Sequence, residues 1–213
     1  DSIRSKTMTK PFIIAIDGAS STGKSTLAKG LADQLGFVHV DSGAMYRAVT
    51  LYAKNNGLLT LNHLDKQSLI SQLDNISIEF NQNTLWLNGI DVSNNIRSME
   101  VSDAVSQIAT ISEIRAFLVA QQRKIGSSNS VVMDGRDIGT VVFPNANLKF
   151  FLTANTRIRA QRRYEDLKSH NISLTFNDVL NNINLRDNLD SNRSDSPLFQ
   201  AEDAITLDAT KYN

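Results

Sequence analysis

The first strong pattern in the chain is an apolar run, Phe12-Ile13-Ile14-Ala15-Ile16, which predicts a buried strand. Leu27, Ala28, Leu31, Ala32 and Leu35 then recur at helical spacing until Gly36 ends the helix. Phe37-Val38-His39-Val40 predicts a second buried strand, closing in Asp41-Ser42-Gly43. Met45, Val49 and Tyr52 share one face of a second helix that stops at Asn55-Asn56-Gly57. Strand, helix, strand, helix is the opening of a parallel sheet.

The rhythm changes after that. Ile76, Ile78 and Phe80 alternate, as do Leu85 and Leu87, with Asn81-Gln82-Asn83 between the two runs and an Asn88-Gly89 turn before Ile90 and Val92. This reads as a small antiparallel unit inserted into the βα pattern. Helical spacing returns with Val101, Val105 and Ile108, and again with Ile114, Phe117 and Leu118. Val131-Val132-Met133 predicts a short buried strand closed by Asp134-Gly135-Arg136-Asp137, and Leu148 to Leu152 predicts another. Asn155 or Thr156 can cap a helix that runs through Arg157 to about Lys168. A polar segment from Ser169 to Ser173 leads to a helix through Val179, Leu180 and Ile183, and the last strand is Ala204 to Leu207. The expected fold is α/β: three layers, α/β/α, around a five-stranded parallel sheet. One domain over 10–213 is expected, with a core at about 10–61, 106–156 and 194–213, an antiparallel insertion at about 62–105 and a helical flap or lid at about 157–193. No internal repeat or low-complexity linker divides it.

Composition narrows the partners. The 213 residues are 41% hydrophobic and 21% charged, enough for a substantial core. Lys plus Arg and Asp plus Glu number 22 each, so there is no global basic field of the kind that favours a nucleic-acid polymer. Anion sites must then come from local arginine clusters. With no cysteine, disulfides and cysteine-ligated metals are excluded, which fits a reducing compartment. No apolar run approaches a membrane span and no signal peptide is visible, so a cytoplasmic protein without membrane attachment is expected. Asp1 to Thr7 reads as a tag remnant ahead of a native start at Met8, or equally as an ordinary disordered terminus.

The richest motif is Gly18-Ala19-Ser20-Ser21-Thr22-Gly23-Lys24-Ser25, a G-x-x-x-x-G-K-S phosphate-binding loop. Its position between a strand and an amphipathic helix separates a real phosphate cradle from a chance match. The glycines let the backbone turn its N–H groups inward, and the helix adds the positive end of its dipole. Lys24 would reach the terminal phosphates of a nucleoside triphosphate, and the Ser25 hydroxyl would bind magnesium. Asp134, at the end of an apolar strand, suits the second magnesium ligand, often through water.

Arginines cluster in the second half. Arg159, Arg162 and Arg163 stand at i, i+3 and i+4 on one helix, just after Arg157. A solvated face paired with Glu165 and Asp166 is the plainer reading. Arg186, Asp190 and Arg193 also align, at i, i+4 and i+7. Two one-sided arginine helices joined by a polar loop suggest a flap that closes on phosphates, where transferring oxygens need cations.

Asp41-Ser42-Gly43-Ala44-Met45-Tyr46-Arg47, after the second strand, resembles the corresponding block of bacterial cytidylate kinases. So do Ala104 to Ala109, the block from Asp134-Gly135-Arg136-Asp137 to Pro144, and Arg186-Asp187 through Asn192-Arg193. The resemblance runs from about Ile13 to Leu207. It implies a phosphate-loop nucleoside monophosphate kinase that transfers a phosphoryl group from ATP, with Mg2+, to CMP or dCMP. Gly18 to Thr26 would bind ATP, with Arg162 and Arg163 in the flap over the donor phosphates. Arg47 and Arg136 would bind the acceptor's phosphate, with Ser42 and Tyr46 lining the same pocket. Ser106, Arg115 and Asp137 would contact the cytosine edge, with Arg193 nearby, and Arg186 and Asp190 the sugar hydroxyls. The insertion at about 62–105 corresponds to the extended monophosphate-binding region of the bacterial type. A monomer is expected.

Elementary chemistry agrees at several points. Cytosine carries an exocyclic amine where uracil carries a carbonyl, so a carboxylate at Asp137 accepts from the first and faces the second lone pair against lone pair. Such a pocket discriminates strongly, because the mismatch leaves buried polar groups unpaired. No catalytic base is needed, since the acceptor is a phosphate oxygen already largely ionised near neutrality (second pKa about 6). Catalysis can rest on positioning and on charge neutralisation by Lys24, Arg136, Arg162, Arg163, Arg186 and magnesium. His39, His63 and His170 share no motif and read as structural or exposed.

The chain also departs from that family. Ala19-Ser20-Ser21-Thr22 stands where relatives commonly carry Pro-Ser-Gly-Ala, which implies a slightly stiffer loop that still binds. Leu189 replaces a charged residue beside Asp190. The chain stops at Asn213, soon after the last strand, where relatives usually continue into a helix covering the sheet. The competing readings are a kinase of another small acceptor (UMP, shikimate or gluconate) and a GTP-binding regulatory module. The Asp137 and Ser106 pocket argues against the first. The second needs Asn-Lys-x-Asp, and the nearest string, Asn62-His63-Leu64-Asp65, lacks the lysine.

Overall fold

The computed structural model describes residues 10–61, 63–81, 84–169 and 173–212. The expectations that touch Asp1 to Met8, Asn62, Gln82, Asn83, His170 and Asn213 lie outside these residues. In chain order the elements are β1 (Ile13–Gly18), α1 (Lys24–Leu35), β2 (Val38–Asp41), α2 (Ser42–Asn55), α3 (Lys66–Ser71), β3 (Ile78–Asn81), β4 (Thr84–Leu87) and β5 (Ile90–Asp91). There follow α4 (Met99–Ile108), α5 (Ser112–Ser128), β6 (Val131–Gly135), β7 (Leu148–Thr153), α6 (Thr156–Ser169), α7 (Phe176–Asn192) and β8 (Ile205–Asp208).

Five of the strands form a parallel sheet in the order β2-β6-β1-β7-β8. β1 is central and buried along its whole length, which its unbroken apolar run requires of a parallel strand covered on both faces. Its side chains alternate across the sheet. Ile14 and Ile16 pack with Ala28 and Ala32 of α1 and with Val132 and Leu152. Ala15 points the other way and joins Val40, Met133 and the helices α2, α4 and α5 in the larger cluster. The three-layer α/β/α order follows from that alternation. The antiparallel unit β3-β4-β5 forms as the alternating apolar positions predict, with Leu85 and Leu87 facing the larger cluster. Two helix starts are closed by short polar side chains as follows: on α2 Asp41 accepts from the Ala44 amide at 3.0 Å, and on α7 Thr175 and Asp178 form a reciprocal capping box.

The structure adjusts four sequence expectations. The helical stripe on α1 is narrower than its spacing suggests, because Ala28 and Ala32 meet the sheet while Leu27 and Leu35 are 39% and 47% exposed. Small residues bring the helix close to the strands and leave the flanking leucines outside that contact. β2 begins at Val38 rather than Phe37 and is buried fully only at Val40, because it is a sheet edge. The other edge, β8, is exposed throughout and is shifted by one residue to Ile205–Asp208. Arg193 lies just past the end of α7 in extended backbone, not on its helical face.

Enlarging the close contact therefore costs more than trimming its flank. Ala28→Leu is expected to destabilise the fold by about 1–3 kcal/mol, and Leu27→Ala by less than about 1 kcal/mol, read from urea midpoints. The opposite ranking would mean that Leu27, not Ala28, faces the sheet.

Candidate active site

The cleft is built at the C-terminal ends of the parallel strands, where open α/β sheets bind ligands. β1 runs into the loop at Gly18, which packs so closely on β7 that a Cβ there would strike the Leu152 carbonyl oxygen. Gly23 turns the chain into α1 with φ of 92°, a left-handed conformation that suits glycine. Lys24 is the first residue of α1, and its Nζ donates to the Ala19 carbonyl at 3.1 Å across the loop. Burial, with Arg136 and Arg186 nearby, lowers its pKa to about 7, so the loop holds this amine ready for an anion that would restore its charge. Ser21 sits between the glycines with φ of 57° although it carries a side chain. This is the departure from Pro-Ser-Gly-Ala that the sequence shows, and it stores backbone strain in the loop.

Register in the sheet brings the second half of the site alongside. Ile16 of β1 pairs with Asp134 of β6, so Asp134 ends its strand next to the loop. The Ser25 Oγ donates to Asp134 Oδ2 at 2.5 Å. The His39 Nε2 donates to Oδ1 of the same carboxylate at 2.8 Å, and the Ser42 Oγ donates to the Asp134 carbonyl at 2.8 Å. Ser25 and Asp134, the residues expected to hold magnesium, are thus together. No cluster of three or more His, Cys, Asp or Glu suited to a metal occurs among the described residues. The donor set fits Mg2+ all the same: hard oxygens, few of them from protein, beside a phosphate cradle, as sites completed by water and substrate phosphates require.

A cavity of about 340 Å3 runs from this loop across the sheet ends. Ser20, Ser21, Lys24 and Ser25 line one end, and Ser42, Tyr46, Arg47, Ser106, Arg115, Arg136, Asp137, Arg163, Arg186, Asp190 and Arg193 line the rest. Its described lining carries eight Lys and Arg residues, Arg97 among them, against four Asp, so a chain of zero net charge concentrates its cations here. Thr22, Gly23, Thr26 and Arg162 face a neighbouring cavity beyond the loop, shared with Leu152, Asp208 and Ala209. Gly18 and Asp134 are buried.

Within the cavity, charges are paired unevenly. Arg115 and Asp137 form a buried, directly hydrogen-bonded ion pair, and the Arg115 guanidinium also lies 5.5 Å from the centre of the Tyr46 ring. Burial raises the Asp137 carboxyl pKa, and Arg115 works against that rise. The Arg136 Nε donates to Asp190 Oδ2 at 2.7 Å, and Arg193 Nη1 lies 3.6 Å from Asp190 Oδ1. Burial opposes the Asp190 charge, but these arginines prevail and hold its carboxyl below the usual carboxylate range. Arg47 is 3.9 Å from Asp41. Arg186 has a buried Nε with no hydrogen-bond partner among the described residues, and burial together with Arg136 and Arg47 lowers its pKa to about 10.

The three arginines of α6 separate. Arg163 reaches the cavity while paired with Asp166 at 2.9 Å. Arg162 donates to the backbone carbonyls of Ala209 (2.7 Å) and Tyr212. Arg159 is buried in a fork with Asp187 of α7 (3.0 and 2.5 Å), and it also donates to the loop carbonyl of Ser20 at 3.2 Å. Spacing put these three on one side of a helix without showing their different partners. Sequence reading gave no role to Arg97, and it read His39 as structural or exposed, whereas it touches Asp134. Only the fold reveals that contact. Asp65 accepts from the Ser68 amide at 3.0 Å as the cap of α3, which accounts for the carboxylate in the Asn62–Asp65 string without a base-reading role.

A glycine loop entering a helix, a strand-end carboxylate on the loop's serine and a basin of arginines together define a P-loop phosphotransferase. Residues 14–213 match the cytidylate kinase family. The chain is 50% identical over 205 residues to the cytidylate kinase of Flavobacterium psychrophilum, covering 93% of this chain and 91% of that protein. It is 49% identical over 210 residues to that of Flavobacterium johnsoniae (96% and 91% covered) and 51% identical over 208 residues to that of Porphyromonas gingivalis (94% and 90%). The chain belongs to the cytidylate kinase family.

The strained loop residue gives a direct test. Ser21→Gly removes about 1–2 kcal/mol of left-handed strain and adds about 0.5–1 kcal/mol of unfolded-state entropy. A net rise in Tm of about 1–4 °C is expected by calorimetry. A lower Tm would show that the Ser21 side chain earns its conformation through contacts.

Proposed function

We propose that this chain transfers the γ-phosphoryl group of ATP to CMP and dCMP, giving ADP and CDP or dCDP. The supporting observation is the single continuous cavity that joins the Lys24 loop to the Arg115–Asp137 pair. The loop amides from Gly18 to Thr26 and Lys24 hold the donor phosphates, and Arg162 and Thr26 border the side where the donor's nucleoside would enter. Arg47 and Arg136 hold the acceptor phosphate, with Ser42 and Tyr46 in its wall. Asp137, hydrogen-bonded to Arg115, accepts from the cytosine amine beside Ser106. Arg186, Asp190 and Arg193 border the sugar.

An acceptor phosphate oxygen attacks the γ-phosphorus in line as the bond to the β–γ bridging oxygen breaks, and ADP leaves. The oxygen is already ionised, so no side chain need remove a proton. Lys24, Arg136, Arg163 and Arg186 meet the negative charge spread over the transferring oxygens. Ser25 and Asp134 would hold Mg2+, which would supply further charge neutralisation on the donor phosphates. The helices across 157–193 and the insertion at about 62–105 are the parts expected to close, excluding water so that ATP is not simply hydrolysed. Because the whole cleft lies within one chain, we read the protein as a monomer. We also read it as cytoplasmic, since the sequence has no cysteine and no helix among the described residues is long and apolar enough to cross a membrane.

An ADP-release assay across CMP, dCMP, UMP and shikimate is expected to give turnover with the cytidine nucleotides and far less with the others. Lys24→Ala should lower kcat by about 100-fold or more while CMP still binds by calorimetry. Equal kcat/KM for CMP and UMP, or unchanged turnover in Lys24→Ala, would count against this assignment.

A further inference from the structure

Asp17 is a charged residue near the end of the fully buried strand β1, 4% exposed, and nothing in the phosphotransfer scheme uses it. Both of its carboxylate oxygens are occupied by backbone amides of another segment. Oδ1 accepts from the Ile138 N–H at 2.8 Å and Oδ2 from the Gly139 N–H at 2.7 Å. Those two amides open the π-helical turn Ile138–Val142, which begins immediately after Asp137.

The first amides of any helical turn lack partners within it, and an Asp at the N-cap normally supplies one from its own side chain. Asp137 occupies that N-cap position and makes no such bond. Its carboxylate is turned to Arg115 instead. The cap is supplied from β1 by Asp17, across a sequence separation of 121 residues to Ile138. We propose that Asp17 is a positioning residue: by capping the turn in place of Asp137, it leaves the Asp137 carboxylate free to face the acceptor base. This rests on the reading of Asp137 as the cytosine contact.

Two observations support it. Burial pushes the Asp17 pKa up to about 6, with Asp137 adding to the rise, while the two amides and Lys24 draw it down. A carboxylate kept at that burial cost has a task, and the amides are its only hydrogen-bond partners among the described residues. In addition, a Cβ at Gly139 would come within 3.3 Å of Asp17 Oδ2 and 3.1 Å of the Lys149 side chain, so the turn is seated tightly against its cap.

Asp17→Asn keeps size but offers one amide an N–H in place of an acceptor. Asp137 is then drawn toward its own turn. The ratio of kcat/KM for CMP over UMP is expected to fall by about 10- to 100-fold, with a raised KM for CMP and a KM for ATP changed by less than about threefold. A merely structural Asp17 would lower Tm and slow both acceptors equally, leaving the ratio unchanged, and that result overturns the proposal. Asp137→Asn is measured in parallel. If it lowers the ratio and Asp17→Asn does not, positioning by Asp17 is wrong and the reading of Asp137 stands. If Asp137→Asn leaves the ratio intact, the reading of Asp137 falls and the role of Asp17 falls with it. Asp17→Ser, which retains one acceptor, serves if Asp17→Asn does not fold. If neither variant folds, hydrogen exchange on the wild-type chain decides: Ile138 and Gly139 amides among the slowest support the cap, and fast exchange at both removes it.

Discussion

The site depends on holding many like charges in one partly buried cleft. Guanidinium groups close together in a medium that excludes water repel one another, and their desolvation is expensive. The chain meets this with a few carboxylates set among the arginines. Asp190 is shared by Arg136 and Arg193, Asp137 is committed to Arg115, and Asp187 holds Arg159 in a two-pronged fork. Buried pairs of this kind contribute little net stability. Their value is in fixing where each cation points, so that incoming phosphates find the charge already arranged. Arg186, with its depressed pKa and no ion-pair partner among the described residues, is, like Lys24, a cation that an anion would stabilise.

The same pairs link parts of the chain that sequence keeps far apart. Arg159 joins α6 to α7 through Asp187 and touches the phosphate loop through the Ser20 carbonyl, so the position of these two helices and the loop shape are mechanically connected. Asp134 ties the loop serine to β6 and, through Ser42, to the start of α2. β1 carries the glycine loop at its end and, one residue earlier, the carboxylate that caps the turn after Asp137. The two ends of the cleft are therefore built around one strand rather than merely placed next to each other.

Much of this was legible in the sequence because it is local. The loop from Gly18 to Ser25, the five strands of the sheet, the antiparallel insertion and the strand-end Asp134 each follow from spacing and turn chemistry within a few residues. What was hidden depends on tertiary partners. Helical spacing grouped Arg159, Arg162 and Arg163 but could not show that a distant Asp187 takes the first, backbone carbonyls the second and the cavity the third. It grouped Leu27 and Leu35 with Ala28 and Ala32, when the alanines meet the sheet and those two leucines stay largely exposed. His39 on Asp134 and Asp17 on the Ile138 amide lie 95 and 121 residues from their partners, and no pattern along the chain records such contacts. The strain at Ser21 was visible only as a departure from a familiar loop, with its sign set by the backbone angle.

The most direct measurement is a crystal structure with CMP bound. Asp137 should remain on Arg115 and lie within about 3.2 Å of the exocyclic nitrogen of cytosine, with the phosphate held by Arg47 and Arg136. A base seated away from Asp137, or a phosphate bound outside those arginines, would contradict the assignment of this cleft as the cytidine nucleotide site.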